Sequence, residues 1–258
     1  MRNYKGRVMV LVGVLGILAA CSTAPITGRR QLSLVSGPQE AQLGLSAFEE
    51  LKKETPVSRD PAANALLQKV GKRIAAAAGN DLKDAQWEFV VFESKEANAF
   101  CLPGGKIGVY TGILPITKDE AGLATVLGHE VAHATAHHGA ERMSQQMAAQ
   151  GVGQVGGMAI TDPRWAAVFQ SVYPIGAQVG VMLPYGRKQE SEADRIGLHY
   201  MARAGYDPAA AVAFWERFSA AMPKSGTPAF LRTHPVDTKR IADIKTYLFE
   251  AKQEYRPQ

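Results

Sequence analysis

His129-Glu130-Val131-Ala132-His133 sets two imidazoles four residues apart, with a carboxylate beside the first. On a helix, residues at that spacing differ by about 40° around the axis, so both rings leave one face and can bind a single ion at roughly 2.0–2.1 Å. Glu130 is placed to take a proton from water that the ion has made acidic. Five residues of this spelling arise by chance in roughly one chain per hundred of this length, so the rest of the site has to be found. A catalytic zinc takes three protein ligands and keeps a position for water. The metzincin spacing needs Gly at 136 and His at 139; the chain has Ala136 and Gly139 and is not of that class.

A carboxylate on a later helix is the alternative, and Glu190-Ser191-Glu192-Ala193-Asp194 offers one. Glu190 and Asp194 share a helical face, whereas Glu192 points about 200° away from Glu190. Glu190 is therefore the expected third ligand. Asp194 is the expected acceptor for the second ring N–H of a ligating histidine, which fixes its tautomer. Of the other histidines, a continuous helical wheel puts His138 nearly opposite His129, and His137 and His138 both read as packing or solvated. His199 falls at no ligand spacing. His234 stands in Thr233-His234-Pro235, where the proline restricts the backbone and can hold the ring inward. Three roles stay open for it: steadying a tetrahedral oxyanion, occupying the open metal position so that the enzyme rests, or simply shaping the loop.

The elements that must carry these residues follow from caps and periodicity. Pro38 opens a helix through about Lys53, and Asp60-Pro61 opens another in which Ala63, Leu66, Leu67, Val70 and Ile74 recur until Gly79-Asn80 stops it. Trp87–Glu93 reads as a strand, and Ala99–Leu102 with Lys106–Thr111 as a hairpin around Pro103-Gly104-Gly105. Thr117 and Glu120 have capping-box spacing and predict a helix to Gly139. Residues 151–182, rich in glycine and alanine and broken by Asp162-Pro163, predict a flap or irregular helical cover, and their charges argue against a membrane segment. Helices follow at about Arg187–Ala204, Asp207–Met222 and Asp237–Gln253. Mostly helical content with one small central sheet and a hairpin beside the HExxH helix means α+β.

With 258 residues, 46% of them hydrophobic, the chain can bury a core without disulfides. The net charge of +5 falls to +2 once residues 1–20 are set aside, too little to argue for a nucleic-acid partner. Those residues have the layout of a signal peptide: Arg2, Lys5 and Arg7, then uncharged Val8–Ala20. Leu18-Ala19-Ala20-Cys21 resembles the bacterial lipobox, which implies cleavage, lipid on Cys21 and, with Ser22 following, the periplasmic side of the outer membrane. The expected divisions are a lipoprotein signal peptide at 1–20, a lipidated tether at 21–37 and a peptidase domain at 38–258. Cys101 is left without a partner and reads as a buried free thiol.

Beyond the single motif, four ordered blocks resemble the gluzincin peptidases: His129–His133; Glu190–Asp194; Asn98-Ala99-Phe100 with Pro103-Gly104-Gly105-Lys106; and Thr233-His234-Pro235 with Arg240-Ile241. They are most similar to the HtpX and CAAX-protease-related family in its periplasmic BepA/LoiP/YcaL-like branch, with the mitochondrial Oma proteases as cousins. Pro25–Leu32 looks like that branch as well. The resemblance implies a zincin-type domain, one zinc on His129, His133 and Glu190, and Glu130 as base. It also implies unfolded or misassembled envelope polypeptides as substrates. The chain lacks room for the tetratricopeptide repeats of the BepA type and lacks the spanning helices of HtpX.

The expected activity is zinc-dependent endopeptidase, with Asn98, Ala99 and Phe100 offering a strand to which an extended substrate adds through backbone bonds. A zinc-bearing holdase with latent proteolysis is the rival, and a structural zinc module the third reading. The intact Glu130 speaks against both.

Overall fold

The structure is a computed structural model that describes residues 21–178, 182–220, 230, 233–235 and 238–257. The expected signal peptide lies outside these residues, as does the end of the helix expected to reach Met222. The chain forms two compact units, residues 1–36 with 139–184 and residues 37–138 with 185–258.

In the larger unit, α1 (Gly37–Glu54) and α2 (Pro61–Ala78) come first. Asp60 caps α2 by accepting from the Ala62 N–H at 2.9 Å, and Gly79, with φ of 49°, ends it. Ala63, Leu67, Val70 and Ile74 are buried, so the predicted stripe is the packed face, and α2 packs on strand β3 (Glu88–Phe92). β4 (Ala99–Leu102) and β5 (Lys106–Tyr110) form the expected antiparallel hairpin, with Ala99 opposite Val109 and Cys101 opposite Ile107. β3 joins the far side of β5 in parallel, giving the order β3-β5-β4 and leaving β4 at an edge.

After a short turn of helix, α3 (Leu114–Thr117), comes α4 (Glu120–Thr135). The side chain that caps α4 is Asp119, accepting from the Gly122 N–H at 2.8 Å, rather than Thr117, which ends α3. α4 is buried along nearly its whole length, packed by α2, β4 and α8 (Ala210–Ala220). It does not run on to Gly139. His137 takes a positive φ of 50°, and a new helix α5 (His138–Ala159) starts at the next residue. α7 (Leu183–Arg203) and α9 (Thr238–Ala251) complete the helices used below.

In the smaller unit, β1 (Cys21–Thr23) pairs antiparallel with β2 (Arg30–Leu32), so two small sheets are present where one was expected. Arg29 holds this ladder to the start of α5 with a bidentate bond to buried Glu141 at 2.7 and 2.8 Å. Of residues 151–182, expected to be a flap or an irregular helical cover, residues 151–159 form the end of α5 and, after a break around Asp162, α6 (Pro163–Ala177) follows, so the helical alternative holds.

Candidate metal centre and active site

α4 meets α7 at a pair of glycines. A Cβ on Gly128 would lie 2.9 Å from the Gly197 carbonyl oxygen, and one on Gly197 would lie 2.9 Å from the Gly128 carbonyl carbon. Backbones approach this closely only where both residues lack a side chain, and the crossing sets His129, one residue after Gly128, against the acidic turn of α7.

There His129 Nε2 and His133 Nε2 stand 3.1 Å apart, and the two oxygens of Glu190 lie 3.2 Å from one ring nitrogen each. His234 Nδ1 enters the same cluster, 3.1 Å from His129 Nε2 and 2.9 Å from Glu190 Oε2. The four donor atoms all lie within 4.8 Å of one another. A tetrahedron built on bonds of about 2.0 Å has edges of about 3.3 Å, so the spacing of the three predicted ligands fits a zinc ion. The chemistry agrees, because nitrogens and carboxylate oxygens that face one another in a buried space call for a cation between them.

The opposite edges of the rings show which nitrogens carry lone pairs inward. His129 Nδ1 donates to Asp194 Oδ1 at 2.9 Å. Asp194 in turn accepts from Arg240 Nε at 2.7 Å and Nη2 at 2.8 Å. The guanidinium lies 3.9 Å from the centre of the Trp215 ring and donates to the Pro235 carbonyl at 3.0 Å, so one arginine fixes both Asp194 and the loop of His234. His133 Nδ1 lies 2.8 Å from His138 Nδ1, and His138 Nε2 lies 3.0 Å from Glu192 Oε2. With His133 Nε2 a lone pair, protons run in one direction along this row: His133 donates to His138, and His138 donates to Glu192.

His138 and Glu192 are corrections to the sequence reading. The wheel that put His138 opposite His129 assumed one continuous helix, and the break at His137 turns the ring back toward His133. Glu192 does point away from Glu190, and it reaches His138 instead. The sequence marks Arg240 only as part of a block; a lone arginine in a helix's first turn carries no signal of its own. His137 bonds the buried Glu40 at 2.6 Å, and His199 is buried with Nδ1 3.2 Å from Glu254 Oε1.

Glu130 is buried beside the cluster, with Oε1 3.4 Å from His234 Nε2 and without a hydrogen bond among the described residues. Burial raises its pKa, while the charges of His234 and His129 and a backbone bond from Cys101 pull the other way. In the metal-free chain burial opposes charge on His129, but Asp194 and Glu190 outweigh it and push the ring up to about 9. Burial takes His133 well below its usual value. Glu190 resists burial through His133, His129 and His234 and stays well below the usual carboxylate range, and Asp194 is lowered against burial, chiefly by Arg240.

The predicted substrate strand lies at the sheet edge. Tyr110 N–H donates to the Asn98 carbonyl at 3.0 Å, so strand alternation turns the backbone of Ala99 and Cys101 outward. The Ala99 N–H is held by Asn98 Oδ1 at 3.0 Å, and the Ala97 carbonyl accepts from Phe230 N–H at 3.2 Å. Phe100 is committed to packing, its ring against Phe48, Phe92 and Tyr110. Cys101 is a buried free thiol whose pKa is raised by burial. The side chain of Cys21 falls outside the described residues.

Residues 61–248 match the family described as Peptidase family M48. The mitochondrial metalloendopeptidase OMA1 of Schizosaccharomyces pombe is 38% identical over 88% of this chain and 66% of its own length. That of Saccharomyces cerevisiae is 32% identical over 90% of this chain and 70% of its own. The beta-barrel assembly-enhancing protease of Escherichia coli strain K12 is 29% identical over 88% of this chain and 47% of its own. The chain thus spans between 47% and 70% of the length of these relatives. The expected place on the periplasmic side of the bacterial outer membrane is corrected by them, since the two more similar proteins are named as mitochondrial. The lipobox rests on a few small residues before a cysteine, and the site's chemistry carries no address. Two histidines and a glutamate gathered with His234 in one buried cluster, within a mostly helical α+β domain, fit the arrangement expected of the gluzincins, and the chain belongs to peptidase family M48 as a zinc metallopeptidase.

Proposed function

We propose that His129, His133 and Glu190 hold one zinc ion and that Glu130 is the general base of an endopeptidase. The observation that carries this is the buried Glu130 carboxylate, with one oxygen lacking a hydrogen bond, beside a cluster of inward lone pairs. When bound, zinc supplies Lewis acidity toward a carbonyl oxygen and makes water acidic near neutral pH. Glu130 takes the proton of the attacking water and returns it to the leaving amine; burial, by raising its pKa, makes the carboxylate a stronger base for the first of these transfers. Asp194 and the His138–Glu192 pair hold the two imidazoles in the tautomers that point lone pairs inward. An extended substrate adds along β4 by displacing the Asn98 side chain from the Ala99 N–H. Such backbone pairing tolerates many sequences and suits unfolded chains.

The finer reading is cleavage of misfolded or misassembled envelope proteins. Its support is the name of the Escherichia coli relative at 29% identity.

The test is zinc content together with casein cleavage. Glu130→Gln is expected to keep zinc and lose activity by about 10²–10⁴-fold, the usual weight of a general base. Glu190→Ala is expected to lose zinc, and full zinc occupancy in that variant would reject the ligand set.

A further inference from the structure

Between Arg142 and Arg187 the chain carries only two charged side chains, Asp162 and Arg164. This stretch includes most of α5 and all of α6, which pack as an antiparallel hairpin. A Cβ on Gly153 would lie 2.8 Å from the Tyr173 ring and one on Gly156 2.9 Å from the Phe169 ring, and Tyr173 Oη donates to the Ala149 carbonyl at 2.9 Å.

Those contacts fix the two sides of the hairpin. Val152 and Val155 each precede an interface glycine by one residue, and Val168 and Val172 each precede an interface ring by one. In antiparallel helices a step of 100° in the same chain sense leaves the shared contact on the same side, so the four valines form one face. Trp165, one turn before Phe169, borders it. All five are exposed, from 49% at Val168 to 70% at Val155. The other side holds a cleft of about 430 Å³ lined by Gln146, Gln150, Gln154 and Gln170. One side is thus aliphatic and the other amide-bearing, with no lysine on either.

An exposed aliphatic face of this kind marks a contact surface. Its occupant is indicated by the rest of the same unit. In the sequence, the apolar run Val8–Ala20 ends where β1 begins. That ladder is fixed to α5 by Arg29–Glu141 and by the Leu34 N–H on Ser144 Oγ at 2.8 Å. The run itself, or the lipid that the lipobox implies on Cys21 once the run is cleaved, is therefore joined to a ladder fixed on α5, the helix that carries Val152 and Val155. No described helix is long and apolar enough to cross a membrane. We propose that the valine face is a lipid-surface site, with the α5–α6 hairpin lying flat in the headgroup region and Trp165 at the acyl boundary. Lacking a basic cluster, it depends on apolar contact rather than on anionic lipid.

The test uses the full chain with phosphatidylcholine vesicles brominated on their acyl chains, reading tryptophan emission. Of the three tryptophans, Trp215 is buried and Trp87 stacks on Phe89, so the quenched component belongs to Trp165. The expected result is quenching that is insensitive to salt, is lost in Trp165→Phe, is lost in Val155→Asp/Val172→Asp and persists in Gln154→Asp on the other side. Quenching that survives Trp165→Phe, or wild-type emission that brominated lipid leaves unchanged, would overturn the proposal. A doubled mass by light scattering with Trp165 shielded from the lipid would assign the face to a second copy instead. Should the double aspartate variant fail to fold, Trp165→Phe alone decides.

Discussion

Imidazole Nδ1 atoms have as much influence on this site as the Nε2 atoms that face its centre. Each ligating ring is held from behind by a different buried row, Asp194–Arg240 behind His129 and His138–Glu192 behind His133. Removing such a partner commonly weakens a metal site by about 10–100-fold. His138→Ala is expected to lower zinc affinity by that order, with Glu130 untouched, as read by competition with a chelator; unchanged affinity would reduce His138 to packing. His234 poses a different question, since its Nδ1 stands among the donors while its Nε2 faces Glu130. Its backbone N–H donates to the Phe230 carbonyl at 2.7 Å, and the Phe230 N–H holds the Ala97 carbonyl at the sheet edge. The same short segment thus occupies both the donor cluster and the edge a substrate would use. His234→Ala is accordingly expected to speed cleavage of unfolded casein. A fall in kcat of about 10²–10³-fold at unchanged KM would instead assign the ring to the oxyanion, a contact present only in the transition state.

Helix α4 shows how far periodicity reaches and where it stops. The i, i+4 spacing of His129 and His133 and the shared face of Glu190 and Asp194 lie within single unbroken helices, so the three proposed ligand positions were legible from the sequence alone. His138 was not, because no glycine, proline or cap residue announces the positive φ at His137 that ends α4 two residues before it. The hairpin strands Ala99–Leu102 and Lys106–Tyr110 were legible through Pro103-Gly104-Gly105, whereas the parallel pairing of β3 with β5 is a long-range choice that no local residue encodes. The glycine crossing of α4 and α7 is of the same kind. In an isolated helix Gly→Ala is favourable by about 1 kcal/mol. At Gly197 the added Cβ would meet the Gly128 backbone, which cannot swing aside, and overpacking of this sort costs about 1–3 kcal/mol. The clash outweighs the propensity. Gly197→Ala is therefore expected to lower both the denaturation midpoint and zinc occupancy, by moving Glu190 and Asp194 away from α4; a stabilised variant with full zinc would show that the crossing has room.

At the scale of the whole molecule, protons, metal and stability are tied together through His129. In the folded, metal-free chain its pKa is pushed up to about 9, against about 6.5 for an unfolded histidine, because Asp194 and Glu190 overcome the burial that opposes charge. A raised pKa gives stability that is fully present below about pH 6.5 and is lost as pH rises through about 9. Zinc reverses the sign. It needs the neutral ring, so below about pH 9 each binding event must expel that proton, and apparent affinity gains about tenfold, or about 1.4 kcal/mol, per pH unit on the way up. Ligand that binds only the folded state adds its binding free energy to stability, about 4 kcal/mol at a thousandfold excess over Kd. The melting temperature of chelator-treated protein is therefore expected to fall between pH 6.5 and 9 while that of the zinc-loaded protein holds or rises, so that the gap between the two curves widens steadily. Asp194→Asn, by withdrawing the first of the carboxylates that charge His129, should flatten the metal-free curve over the same range. A gap that stays constant with pH would mean that His129 is already neutral in the empty site, and that Asp194 orients the ring without holding a second proton on it.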